Sequence, residues 1–150
     1  MIQRKQSVFL LLSAIATILC LCLPIASIQP KVVAVDSQMY NLWIANGNGT
    51  FDFTSAPLFC VLLIETVIAI ANIFMYKKRK LQVKLCNCCN FLIIVWYAAY
   101  ITITMSVKGD FGLHIDFAVI LPLVAMILVF MARKGVMADE DLIRAAERIR

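Results

Sequence analysis

The chain has 150 residues, of which 63% are hydrophobic and 15% are charged, and its mean hydropathy is +0.90. A soluble domain is about 45–50% apolar, so this composition excludes an ordinary soluble fold and predicts one domain that lies in lipid. The net charge of +5 does not indicate nucleic-acid binding, because the basic residues cluster beside apolar runs instead of forming a face on a soluble module.

Residues 8–28 are predicted to form the first membrane span, because this apolar run is long enough to cross a hydrocarbon core of about 30 Å. Arg4 and Lys5 precede it. The alternative is a secretory signal that is cleaved near residues 26–27. The run is somewhat long for the apolar part of such a signal, which has about 7–15 residues, so we favour a retained span.

Residues 29–56 are predicted to form the large external loop. The sequence Asn-Gly-Asn-Gly at residues 46–49 is a strong turn signal, because Asn and Gly tolerate positive φ. Residues 32–35 and 50–53 have strand character. We therefore expect a small β-hairpin in this loop.

A basic segment separates the second and third predicted spans, which cover residues 57–76 and 86–107. Five of the 14 basic residues lie within residues 76–84. Because such a dense group of cations is hard to move across a bilayer, residues 77–85 are predicted to be a cytoplasmic loop that joins these spans as a hairpin.

The fourth span is predicted over residues 111–131, and residues 132–150 are the predicted cytoplasmic tail. On this threading 12 of the 14 Lys and Arg residues are cytoplasmic, which predicts that both chain ends are cytoplasmic as well. From residue 139 onward the tail has the pattern of a short amphipathic helix that begins with Asp139 as its cap. Its cations are the predicted contacts to a partner subunit: Arg144, Arg148 and Arg150.

Three ionisable residues fall inside predicted spans, where a charged group such as Asp costs roughly 2.5–3.5 kcal/mol on insertion scales. They are Glu65 in the second span and His114 and Asp116 in the fourth. Asn72 continues a polar stripe on the helix face of Glu65. One hypothesis is a proton- or solute-binding pocket, with Glu65 as proton carrier and His114 or Asp116 as its partner. The second is interhelical hydrogen bonding by a protonated Glu65, and the third is that water outside the membrane reaches Asp116.

Cys86, Cys88 and Cys89 form a C-x-C-C cluster at the cytoplasmic end of the third span. Thiolates bind zinc or copper(I), but a closed zinc site usually has four ligands, and His114, the single histidine, is predicted on the other side. Small buried side chains, a metal site and a redox or modification site are the alternatives. The sequence contains no nucleophile–base set and no phosphate-binding glycine loop, so neither an enzymatic activity nor a cofactor is predicted.

Both ends of the chain resemble the ends of a known family. MIQRKQSVFLLL at the start and ARKGVMADEDLIRAAERIR at the end are similar to an uncharacterised, domain-of-unknown-function family of small four-span membrane proteins from Bacteroidota. The resemblance implies an uncleaved first span, residence in the bacterial inner membrane and cytoplasmic ends. It implies no activity, ligand or catalytic residue.

The predicted fold is therefore an all-α bundle of four transmembrane helices over residues 1–150, with a small external loop and a short cytoplasmic tail helix. The leading hypothesis is a non-enzymatic accessory or scaffold subunit of an inner-membrane assembly, because the chain is small, lacks a catalytic motif and has a charged tail. The alternative hypothesis is a small proton-coupled transporter or sensor that uses Glu65 with His114 or Asp116.

Overall fold

A computed structural model describes residues 3–30, 37–46, 49–75, 78–107 and 111–148. These residues are mostly helical. The helices are α1 (Gln3–Cys22), α2 (Ala56–Phe74), α3 (Arg79–Val107) and α4 (Ile120–Arg148). The strands are β1 (Ala26–Pro30), β2 (Ser37–Met39), β3 (Ile44–Ala45), β4 (Phe51–Asp52) and β5 (Phe111–Ile115).

The helices form one bundle in which neighbours in the chain run antiparallel. Helix α1 packs against α2 and α4, and α3 packs against the same two helices. The buried face of α1 carries small or polar residues such as Ser13, Ala14 and Thr17. Its other faces expose aliphatic side chains: Val8, Leu11, Leu12, Ile15, Ile18 and Leu19. Small residues inside and large apolar residues outside are typical of helices that pack in lipid.

Within the described residues, three helical segments are long and apolar enough to cross a membrane: Phe53–Phe74, Arg79–Ser106 and Phe117–Ile143. The apolar stretch of α1, Gln6–Cys22, is shorter. The length, composition and outward aliphatic surface of these helices are those of a membrane-embedded protein.

The strands form a five-stranded antiparallel sheet in the order β4-β3-β2-β1-β5. Strand β1 follows α1, and its partner β5 precedes α4, so the sheet covers one end of the bundle. We call this the sheet end, and we call the opposite end, where α3 begins at Arg79, the basic end.

The predicted hairpin turn lies between β3 and β4. Gly49 has a φ of +77°, which is accessible to glycine at little cost, and its N–H donates to the Asn46 carbonyl at 3.0 Å. Residues 32–35, for which strand character was predicted, lie outside the described residues. The five-stranded sheet is larger than the predicted hairpin, so the all-α description is wrong to that extent.

The predicted limits of the first span, residues 8–28, are wrong at the sheet end. Helix α1 ends at Cys22, and Ala26–Pro30 form β1 instead. The reason is Pro24, which has no N–H to continue the helical hydrogen bonds and disfavours a helical residue before it.

The fourth span and the tail differ from prediction too. The predicted span over residues 111–131 begins too early, because Phe111–Ile115 pair with β1 along its whole length and α4 starts only at Ile120. Over residues 132–148, the described part of the predicted tail, there is no separate helix, because α4 continues unbroken to Arg148. A run of apolar residues indicates burial but does not by itself separate a strand from a helix.

Candidate functional site

Glu65 lies near the middle of α2, and its side chain is fully buried. Because α2 begins at Ala56, a rise of about 1.5 Å per residue places Glu65 about 13 Å from the sheet end of the helix. Glu65 therefore lies at a depth where lipid surrounds the bundle.

The carboxyl group of Glu65 faces α1 and α3. The Thr17 hydroxyl and the Cys89 thiol are the polar groups beside it, and this thiol also lies 4.0 Å from the Glu65 backbone oxygen. Thr17 accepts a hydrogen bond from the Thr66 hydroxyl at 2.9 Å and donates to the Ala14 carbonyl at 3.1 Å. Neither carboxyl oxygen of Glu65 has a hydrogen-bond partner among the described residues.

Asn72 lies on the same face of α2, closer to the basic end, and is also fully buried. Its Nδ2 donates to the Cys86 thiol at 3.2 Å and to the Gln82 carbonyl at 3.5 Å. Within the described part of the chain its Oδ1 has no partner. Asn72 and Glu65 thus form one interior polar stripe, and the Asn72 amide joins α2 to α3.

His114 and Asp116 do not lie in a helix, so their predicted placement in the fourth span is wrong. His114 is an exposed residue of β5 opposite Ser27 of β1. Asp116 accepts a hydrogen bond from the Ser27 hydroxyl at 2.8 Å. Both belong to the sheet end, because β5 pairs with β1, whereas Glu65 lies about 13 Å along α2. The structure does not bring them to Glu65.

Sequence reasoning missed Asn41, the polar residue that joins the external loop to the bundle. Its side chain is fully buried; Nδ2 donates to the Cys20 carbonyl at 2.6 Å, and Oδ1 accepts from Trp96 Nε1 at 3.0 Å. In a continuing helix, the N–H of residue 24 would donate to the Cys20 carbonyl, but Pro24 has no N–H. Asn41 supplies the missing donor. The signal in the sequence was the proline after α1, which leaves this carbonyl in need of a partner.

At the basic end, Asp139 joins three helices. Its Oδ2 accepts from Gln6 Nε2 at 2.8 Å, and its backbone oxygen accepts from Arg79 Nη1 at 3.2 Å. Gly135 leaves room for the Gln6 side chain, since a Cβ at residue 135 would lie only 3.0 Å from Gln6 Cγ. The predicted role of Asp139 as the cap of a separate tail helix is wrong, because α4 is continuous through it.

The remaining predicted residues are distributed as follows. Arg144 and Arg148 are in the last turns of α4, with side chains outside the described ones, and Arg150 lies outside the described residues. All six cysteines are within the described ranges and are free thiols; Cys86 and Cys89 are buried, and Cys88 is exposed. Over those ranges, no three His, Cys, Asp or Glu side chains are grouped so that they could hold a metal ion.

The chain matches the model of a known protein family. A family model described as "Domain of unknown function (DUF4293)" matches residues 2–149 of the chain. No curated protein matches the chain.

Proposed function

Because the chain belongs to the DUF4293 family of domains of unknown function, we propose its function from its geometry: a four-span, non-enzymatic accessory or scaffold subunit of an assembly in the bacterial inner membrane. The lipid bilayer and another membrane-protein subunit are its proposed partners. The proposal has two parts, the threading of the chain and the surface that contacts the partner.

The threading is supported by α1. This helix has 20 residues and is therefore about 30 Å long, as long as the hydrocarbon core is thick. Helix α2 has a similar length, with 19 residues. Leu10, Ala14 and Cys20 are almost completely buried, so removal of α1 as a signal would open the core of the bundle. With α1 retained, four crossings place both chain ends on one side of the membrane. The cations of the basic end make that side cytoplasmic.

The observation that carries the partner proposal is the length of α4. Its 29 residues extend about 43 Å, whereas the hydrocarbon core is about 30 Å thick. The last turns therefore project from the basic end, where Leu142 is 62% exposed and Ile143 is 43% exposed. Asp139 fixes the orientation of this extension through its contacts with α1 and α3. Apolar side chains held on a rigid extension beyond the lipid are available to a partner protein.

The proposed partner is a membrane subunit with an acidic cytoplasmic segment. Arg144, Arg148 and Arg150 follow Leu142 and Ile143 in the sequence and are the cations that would attract such a segment, since complementary charge steers association. Leu142 and Ile143 would supply the apolar contact, and the charges would determine which partner binds.

We expect the double variant Leu142→Ala/Ile143→Ala to lose a partner that co-purifies with the full chain in mild detergent. The matched control is Leu63→Ala/Ile64→Ala, which truncates another exposed aliphatic pair, on α2, and should retain the same partner. A partner-free profile for the full chain, or equal retention by both variants, would contradict the proposal. Alanine preserves the helix, so the loss can be assigned to the contact surface.

One observation favours a second function, a small proton-coupled transporter or sensor. Glu65 is a fully buried carboxyl group whose oxygens have no hydrogen-bond partner among the described residues, and ionisable residues inside membranes often mark proton paths. His114 and Asp116 would take no part, since they lie in the sheet. Proton coupling requires the ionisable carboxyl group, whereas an accessory subunit does not, so Glu65→Gln separates the two functions.

A further inference from the structure

A cleft of about 520 Å³ opens at the basic end, where the start of α3 meets α4. Its lining is mostly cationic, with one acidic and one apolar side chain. The lining residues are Lys78, Arg79, Lys80, Leu81, Lys84 and Glu140.

The cations converge for local reasons. Lys80 and Lys84 are one helical turn apart and lie on the same side of α3. Arg79 is held at the cleft by its hydrogen bond to the Asp139 carbonyl. The N-terminal end of α3 adds the positive end of a helix dipole, equivalent to about half an elementary charge. Because four cations and only one acid line the cleft, the cations repel one another, and a bound anion would relieve this repulsion.

We propose that this cleft binds the phosphate headgroup of an anionic phospholipid in the adjacent leaflet. The proposal rests on the threading above, which makes this leaflet the cytoplasmic one. Basic pockets between transmembrane helices on the cytoplasmic side are suited to such headgroups. Leu81 adds apolar surface to the cleft. At the same end of the bundle Phe74, the last residue of α2, is 75% exposed. A soluble phosphate compound would use the cations alone, whereas a lipid uses both surfaces.

The test is lipid binding to the purified, delipidated full chain, measured by native mass spectrometry. Phosphatidylglycerol is expected to bind at least tenfold more tightly than phosphatidylcholine with the same acyl chains. The variant Lys80→Gln/Lys84→Gln should weaken the binding of phosphatidylglycerol by about 30-fold, because each cation near an anionic surface contributes about fivefold. The other cations of the basic segment remain, so the threading of the chain is preserved.

Two controls separate the cleft from charge in general and from damage to the fold. Lys134→Gln removes a cation that does not line the cleft and whose Nζ lies 4.9 Å from the Phe130 ring centroid; it should keep wild-type affinity. Lys80→Arg/Lys84→Arg keeps the charge and should bind phosphatidylglycerol within about threefold of wild type. Size-exclusion chromatography and circular dichroism confirm that each variant is folded.

Equal binding of the two lipids, or an unchanged affinity in the double Gln variant, would overturn the assignment. Inorganic phosphate and glycerol phosphate form the soluble arm of the experiment. If either displaces phosphatidylglycerol at an equal concentration, the cleft binds a soluble phosphate and the lipid assignment is wrong. The co-purification experiment on Leu142 and Ile143 is independent of these outcomes, so failure of the lipid proposal is distinguishable from failure of the partner proposal.

Discussion

Replacement of Asn41 by Ala is expected to lower the free energy of unfolding by about 2–6 kcal/mol, because it leaves two buried polar groups without partners at about 1–3 kcal/mol each. The first is the Cys20 carbonyl, which receives the Asn41 Nδ2 donor at 2.6 Å. The second is Trp96 Nε1, which donates to Asn41 Oδ1 at 3.0 Å. The same substitution should release the external loop from the bundle.

The measurement is denaturant unfolding of the detergent-solubilised protein, followed by far-ultraviolet circular dichroism. Asn46→Ala is the matched control: the Asn46 side chain donates to Thr50 and Asp52 at 3.2 and 2.7 Å, but both hydrogen bonds are exposed. Its cost should be about 1 kcal/mol. If the two variants were equally stable, Asn41 would not be the link between loop and bundle.

Glu65→Arg is expected to prevent accumulation of the folded protein, whereas Glu65→Gln should change its stability by about 1 kcal/mol or less. The Arg side chain stays charged in proteins and would carry that charge into the lipid-surrounded interior, at about 2.5–3.5 kcal/mol on insertion scales. The Thr17 hydroxyl and the Cys89 thiol lie beside the Glu65 carboxyl group, and among the described residues no cation does. A neutral acid suits this environment, and the Gln amide is a neutral group of nearly the same shape.

The yield of monodisperse protein, measured by size-exclusion chromatography, tests this expectation. Asp141→Arg makes the same kind of exchange at an exposed position of α4 and should leave the yield unchanged. A Gln variant as unstable as the Arg variant would contradict a neutral Glu65. In liposomes, a pH-dependent proton flux that the wild-type protein and Asp141→Arg show and Glu65→Gln lacks would favour the transporter or sensor over the accessory subunit.

The helical part of the fold could be predicted from the sequence because lipid imposes a simple requirement. A helix that crosses the membrane needs a long apolar run, and such runs are visible without any knowledge of packing. The spans predicted at residues 57–76 and 86–107 correspond to α2 and to the part of α3 from residue 86 to its end. Helix α3 begins earlier, at Arg79, so the prediction of a loop over residues 77–85 is wrong from residue 79 onward. Burial of Glu65 and Asn72 on one face of α2 follows from the helical period. Their partners on α1 and α3 do not follow from it.

The sheet end could not be predicted because it depends on pairing between distant parts of the chain. Ala26 pairs with Ile115 and Pro30 with Phe111. The sequence of either segment by itself does not indicate this pairing. Both segments are apolar continuations of helical runs, so hydropathy assigned them to spans. That assignment also carried His114 and Asp116 into the membrane. In the structure the Ser27 hydroxyl donates to Asp116, and Asp116 does not pair with Glu65 as one hypothesis had it.

We propose that the chain crosses the membrane four times with its basic end in the cytoplasm. Labelling of intact cells with a membrane-impermeant maleimide measures this threading. Single cysteines at Lys5, Thr50, Lys80, His114 and Asp141 are introduced into a chain whose native cysteines are replaced by Ala; His114 and Asp141 are exposed positions before α4 and near its end. We predict that Thr50→Cys and His114→Cys are labelled in intact cells, and that Lys5→Cys, Lys80→Cys and Asp141→Cys are labelled only after permeabilisation. Labelling of any of these last three variants in intact cells would contradict this threading.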